Sequence, residues 1–246
     1  DDWKAEKQSF KESAAIAVDA KDNVWVFNIP TNELLIFDSD GNLLNIWPHK
    51  YENIHGIDFD SSGNVYLVNR NAHQILKYTI NGDLIMSLGQ SECPSETGYS
   101  LQIGRDTNWK NPVSHAGGPF NVPSGVRIAQ NGDIYVSDGY GNKRVHKFDR
   151  FGLLDKSWGK FGTGKSEFAI VHNLTVDRFD RVFVCDRENN RVQIFNSEGE
   201  YLEEWNDLHM PGDIYIDNDV VYIVEQTEVG GVSIWTLEGE LITRWW

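Results

Sequence analysis

Sulfur is scarce in this sequence. Cys93 and Cys185 are the only thiols among 246 residues, and there are two methionines. Two cysteines exclude a disulfide scaffold and leave the compartment open, an extracytoplasmic one included. No apolar run approaches the roughly 18 residues that cross a bilayer as a helix. The chain opens on Asp1 with no charged-then-apolar leader, which reads as a targeting peptide absent or already removed. Positive charge is also short: 22 Lys and Arg against 37 Asp and Glu give a formal net charge of −15. Nucleic-acid and anionic membrane partners are therefore not expected, because both polyanions would be repelled. Sustained helical periodicity with caps is missing, as are a phosphate loop, a Gly-x-Ser-x-Gly elbow and a His-Glu-x-x-His pair.

What the sequence has is repetition and aromatic rings, nine Trp, nine Tyr and twelve Phe. Short apolar strands follow Ala14, His55, Ser124, His172 and Gly212, and a late turn glycine recurs at Gly41, Gly82, Gly152, Gly199 and Gly239. The two ladders step together at about 40 residues, with one longer step across 90–119. Each module reads as strand, turn, strand, loop, strand, Gly turn, strand, with Asn-Gly and Ser-Gly pairs supplying hairpin turns. Four short antiparallel strands per module predict an all-β propeller in one domain over 1–246. The blades fall at approximately 12–50, 51–89, 120–160, 168–206 and 208–246. Residues 90–119, rich in Pro and Gly, read as an inserted loop. Five modules predict either a five-bladed ring or a chain one blade short of a six-bladed one.

In such a blade the residue before the first strand lies near the central axis. That ladder places His55 and His172 in alternate blades, an arrangement suited to a metal through imidazole nitrogen. The loop between strands two and three opens on the same face and supplies Ile29, Arg70, Tyr140, Arg187 and Gln226. A tyrosine beside arginine can serve as a base, and arginine can clamp a carboxylate bidentately. Asp186 and Glu188 flank Arg187 and could pair with it instead. The first-strand aspartates Asp19, Asp60, Asp177 and Asp217 read as turn organisers, some of which could hold a structural calcium. Lys143, Arg144 and Lys147 read as a charged strand edge, and His73 and His146 as surface or packing residues.

On these residues the modules resemble NHL repeats, as in Asn131-Gly132-Asp133-Ile134-Tyr135-Val136-Ser137-Asp138 and Arg191-Val192-Gln193-Ile194-Phe195. Three segments are more specific: Pro119-Phe120-Asn121-Val122-Pro123, the run from Ser137 to Arg144, and the run from Asp186 to Gln193. They resemble the catalytic core of the peptidylglycine α-amidating lyase (peptidyl-α-hydroxyglycine lyase) family, a six-bladed propeller that splits a carbinolamide N–C bond into a peptide amide and glyoxylate. The resemblance implies His55 and His172 as zinc ligands, Tyr140 as the base that takes the substrate hydroxyl proton, and Arg187 as the group that binds or polarises the reacting atoms. Two positions depart from the family. Gly212, in Met210-Pro211-Gly212-Asp213, stands where a third zinc histidine is expected. Ile29 replaces an arginine, so Arg70 is expected to take the substrate carboxylate.

The expected function is thus a zinc-dependent lyase acting on a small α-hydroxylated amide such as a peptidyl-α-hydroxyglycine, with a small molecule or peptide as partner. The alternative is a non-catalytic NHL propeller used as a binding or scaffold module. A calcium-dependent lactonase is a third class, and the oligomeric state stays open.

Overall fold

The structure, a computed structural model, describes residues 12–99 and 113–246. The protein is all β, with two single 3-10 turns as the only helical elements among the described residues. It divides into two compact units, one up to Cys93 and one from Pro94 onward.

The first unit holds two four-stranded antiparallel sheets. Blade one is β1 (Ser13–Val18), β2 (Val24–Asn28), β3 (Glu33–Phe37) and β4 (Leu43–Ile46); blade two is β5 (Ile54–Phe59), β6 (Val65–Asn69), β7 (Gln74–Tyr78) and β8 (Leu84–Leu88). The second unit holds three. Blade three is β9 (Gly125–Ile128), β10 (Ile134–Asp138), β11 (Arg144–Phe148) and β12 (Leu154–Trp158). A short parallel pair follows, β13 (Lys160–Phe161) with β14 (Glu167–Phe168). Blade four is β15 (Val171–Val176), β16 (Val182–Asp186), β17 (Arg191–Phe195) and β18 (Tyr201–Trp205). Blade five is β19 (Pro211–Asp217), β20 (Val220–Glu225), β21 (Gly231–Thr236) and β22 (Leu241–Trp245). Every blade runs in sequence order, and within each unit the first strands of successive blades lie side by side. This is the β-propeller blade the repeat predicts. Among the described residues no helix is long and apolar enough to cross a membrane.

One device closes six of the hairpins. The Asp60 carboxylate accepts the N–H groups of Ser62 and Asn64, both at 3.0 Å. Asp19, Asp38, Asp149 and Asp177 do the same to the residues two and four ahead, and so does the side-chain oxygen of Asn196. A short polar side chain that bonds its own backbone makes the reversal locally stable. Asp217 instead precedes a two-residue turn whose Asn218 and Asp219 both have positive φ, the geometry of a tight hairpin.

The seams between blades carry the core. In the second unit Trp205 stacks on Trp235 with ring centres 5.8 Å apart, and Phe183, Ile194, Ile214 and Ile223 fill in around them. The late turn glycine fits this packing. At Gly239 a Cβ would lie 2.5 Å from Trp205 Nε1, and at Gly199 one would lie 2.9 Å from the Trp158 ring. The first unit centres on Trp25, which meets Trp47 at 5.1 Å and Phe59 at 5.3 Å.

Candidate functional site

The axial ladder lies inside the first strands, not before them. Pairing with the second strand slips at Ala14 in blade one, at His55 in blade two, across His172 and Asn173 in blade four, and at Gly212 in blade five. Each ladder residue is therefore at a β-bulge, which re-aims a side chain while the strand continues. In blade three Ser124 just precedes β9, and its N–H bonds the Ser137 carbonyl at 2.8 Å.

The loop ladder also needs one correction. Ile29, Arg70, Arg187 and Gln226 each follow the last residue of strand two directly, and their N–H groups donate to the carbonyls of Glu12, Asn53, Ile170 and Met210. In blade three that place belongs to Gly139, and Tyr140 comes one residue later. Gly139 presses so close to β15 that a Cβ would lie 1.8 Å from the Val171 carbonyl oxygen. The missing side chain lets the chain swing Tyr140 toward blade four.

There the Tyr140 hydroxyl meets Nε2 of His172 at 2.8 Å, while Nδ1 of His172 contacts the Gly212 carbonyl at 2.6 Å. A carbonyl only accepts, so in the neutral ring Nδ1 carries the proton and Nε2 accepts from Tyr140. Both side chains are buried. The Arg187 guanidinium carbon lies 5.7 Å from the centre of the Tyr140 ring. As its neighbours suggest, Arg187 is paired: its Nη2 is 3.0 Å from the Glu188 carboxylate, and Nη1 donates to Gln226 Oε1 at 3.4 Å.

Three carboxylates hold this face of the second unit. Asp138 accepts the Asn121 N–H and the Asn142 side chain, and pairs with His146 at 3.1 Å. Asp186 accepts the Ala169 N–H and Arg191 Nε, both at 2.9 Å. Glu225 accepts the His209 N–H at 2.6 Å and Arg244 Nε at 3.1 Å. Each ends a second strand and holds the segment entering its own blade; Asp138 and Asp186 also hold the following loop through Asn142 and Asn189, whereas Glu225 holds Arg244 of β22. Burial pushes the Asp186 carboxyl up, against the opposing hydrogen bonds from Asn189 and Arg191.

Two features had no legible signal. Lys143 is not on a solvated strand edge but fully buried, with its ammonium on the Tyr140 carbonyl at 3.0 Å. Burial, and then the Arg187 charge, push its pKa down to about 7 against Glu188, Asp186 and Asp138. The inserted segment is part of the site as well. Within its described residues, Thr97 donates to the Gly141 carbonyl at 2.6 Å and the Gly117 N–H to Asn142 at 2.8 Å. Tyr99, Val113, Val122 and Ile170 enclose the Tyr140 ring. The rest of the insertion, 100–112, lies outside the described residues.

His55 and Arg70 lie in the first unit, each half-buried, at the bulge and loop positions their repeats predict. An imidazole anchored by Nδ1 on a carbonyl is oriented as metal-bound histidines are, so His172 fits a metal through Nε2. Gly212 adds no side-chain donor there. Among the described residues no group of three or more His, Cys, Asp or Glu converges closely enough to hold an ion. Cys93 and Cys185 are free thiols; burial raises Cys185 far above its usual range.

Comparison with known proteins agrees with this architecture. The NHL repeat model matches residues 120–148. Human NHL repeat-containing protein 3 is 32% identical over 221 residues, covering 84% of this chain and 58% of the relative. Peptidyl-α-hydroxyglycine α-amidating lyase 1 of Drosophila melanogaster is 31% identical over 161 residues, covering 61% of this chain and 27% of the relative. Rat peptidylglycine α-amidating monooxygenase is 28% identical over 234 residues, which are 87% of this chain and 21% of the relative. Among solved structures, a streptogramin B lyase superposes with a TM-score of 0.67 at 15% identity, over 97% of this chain and 70% of that one, a likeness of fold alone. The chain is a β-propeller of four-stranded blades that carries an NHL repeat at residues 120–148. Its sequence relatives include the peptidyl-α-hydroxyglycine amidating lyases, and it spans little more than half the length of NHL repeat-containing protein 3.

Proposed function

We propose that the protein is a lyase of the amidating type, cleaving the N–C bond of a small α-hydroxylated amide such as a peptidyl-α-hydroxyglycine. The observation that carries this reading is the 2.8 Å contact between the Tyr140 hydroxyl and Nε2 of His172, with Arg187 over the ring. Tyr140 passes its proton to His172 and, as phenolate, takes the proton of the substrate hydroxyl. The carbinol oxygen becomes a carbonyl as the C–N bond breaks. The bonding pair stays on nitrogen, which takes up the proton that Tyr140 received from the hydroxyl, and His172 then returns its proton to Tyr140. The products are a primary amide and an aldehyde, glyoxylate where the substrate is a hydroxyglycine. Arg187 offsets the phenolate charge. Zinc, where bound, would be held in the second unit by His172 through Nε2, and would supply Lewis-acid polarisation of the substrate oxygens. Tyr140 draws on that same lone pair, so His172 serves the hydroxyl or the metal, one at a time.

Two observations favour a second reading, a binding module without turnover: Gly212 brings no side-chain donor to His172, and the Tyr140 ring is enclosed by Tyr99, Val113, Val122 and Ile170. Incubation with α-hydroxyhippurate separates the two. Benzamide and glyoxylate released in equal amounts, and lost in Tyr140→Phe, support the lyase. Saturable binding with no glyoxylate, with or without added zinc, establishes the module.

A further inference from the structure

Three blades share a device that blades one and five lack; in blade five the equivalent Tyr222 pairs with Ile234. The aromatic second residue of strand two carries a cation over its ring, and that cation is neutralised by a turn carboxylate. In blade two Lys77 stands 5.0 Å from the Tyr66 ring centre and 2.9 Å from Asp60. In blade three Lys147 stands 5.9 Å from Tyr135 and 3.2 Å from Asp133. In blade four Arg181 stands 5.2 Å from Phe183 and 2.7 Å from Asp177. The lysines come from strand three, directly opposite the ring in the ladder: Tyr66 pairs with Lys77 and Tyr135 with Lys147.

In blade one the same ladder position pairs Trp25 with Ile36. The carboxylate is still there. Asp19 accepts the Lys21 and Asn23 N–H groups, the Asn23 side chain and Trp25 Nε1, all at 2.8–3.1 Å. Every one of those donors is neutral. Burial opposes the charge on Asp19, but these hydrogen bonds outweigh it and hold the carboxyl below its usual range, so it is an anion at neutral pH. Lys21, at the rim, makes no ion pair among the described residues. Where the cation would lie there is a cleft of about 340 Å³, walled by Trp25, Ile36, Leu44 and Ile80, with Asp19 and Lys21 at its edge. That size is within the range of small-ligand pockets.

We propose that this cleft is a binding site for a small amphipathic organic ammonium ion, its charge on Asp19 and its apolar body against Ile36, Leu44, Ile80 and the edge of Trp25. The ligand restores from outside the cation that Lys77, Lys147 and Arg181 provide within their own blades. Asp60 shows that such a carboxylate can take an ammonium on top of its turn hydrogen bonds. The apolar walls select an alkyl or aryl amine over a bare inorganic cation. The site lies wholly within the first unit and is independent of the chemistry proposed for Tyr140.

The test is a titration of the whole chain with phenethylammonium, followed by the indole N–H resonance of Trp25 and the amide resonances of Lys21 and Asn23. Saturable shifts are expected with phenethylammonium and none with phenylacetate, which has the same body and the opposite charge. Asp19→Asn should weaken binding by about tenfold, and the turn should survive because Asn196 performs the same capping in blade four. Ile36→Lys should abolish binding and raise the melting temperature, because the new side chain would occupy the cleft as Lys77 does in blade two. No saturable shift, equal response to phenylacetate, or unaltered binding in a folded Ile36→Lys protein would each overturn the assignment.

Discussion

Tyr140 and His172 come from different blades and share a single hydrogen bond of 2.8 Å, and the far side of the imidazole is fixed on the carbonyl of Gly212. Three blades thus set one proton path. Tyr140→Phe should reduce release of glyoxylate from α-hydroxyhippurate by about 10²–10⁴-fold, the usual share of a positioned acid–base group. Stability should fall by only about 1 kcal/mol, since one hydrogen bond is lost while the ring stays packed. Parallel turnover assays and urea unfolding check both halves; a large loss of stability would mean that the hydroxyl is a structural strut.

Gly139 makes that pairing reachable. Replacing it with alanine drives a methyl group into the Val171 carbonyl. The chain must then withdraw from β15, at a cost of about 3 kcal/mol. Denaturant midpoints of Gly139→Ala, set against a Gly132→Ala control in an exposed turn of the same blade, measure it. The control meets only Arg150 Cβ at 3.2 Å but has positive φ, so it reports conformational strain without the backbone clash.

Lys143 gives the protein a pH dependence of definite sign. Its folded pKa, about 7, lies below the unfolded value near 10.5. Between those values the unfolded chain holds the proton and the folded chain does not, so this group's contribution to stability rises with pH and is least favourable below pH 7. Lys143→Met should therefore stabilise the protein more at pH 6 than at pH 10, by a difference on the order of 2–4 kcal/mol. Urea melts of both proteins at the two pH values give the number, and equal gains at both would show that the amine is not desolvated.

The stacked pair at the seam between blades four and five should be a main support of the second unit. Trp205→Ala removes a buried indole from Trp235 and Phe183 and should cost about 3–5 kcal/mol. Thermal unfolding of that variant, beside the exposed-face change Leu202→Ala with an effect within about 0.5 kcal/mol, tests the contrast.

Much of this was legible because a repeat prints its geometry many times over. Period-two apolar runs and the recurring turn glycine located all five blades, and the first-strand aspartates Asp19, Asp60 and Asp177 cap turns as their position suggested. The same ladders isolated His172, Tyr140 and Arg187, which meet in the second unit. Legibility failed where the repeat is broken. The offset of Tyr140 depends on Gly139, whose role is a contact with another blade and leaves no periodic trace. Lys143 looks like a surface charge because three of the charges around it, Arg187, Glu188 and Asp186, lie more than forty residues away in the chain, which neighbouring residues do not reveal. The insertion itself has no period to align and reads only as turns, although its Thr97 and Tyr99 enclose the site.

The bulge at the head of four of the five first strands has one more consequence. Ala14, His55, His172 and Gly212 share one seat, in which a methyl, two imidazoles and a bare backbone are all accepted while the flanking ladder stays the same. A seat outside the hydrogen-bond register can change its occupant without asking the sheet to refold. The scaffold and its chemistry are therefore separately editable. A blade of this kind can gain, exchange or surrender a reactive group by one substitution, and the rest of the molecule need not notice.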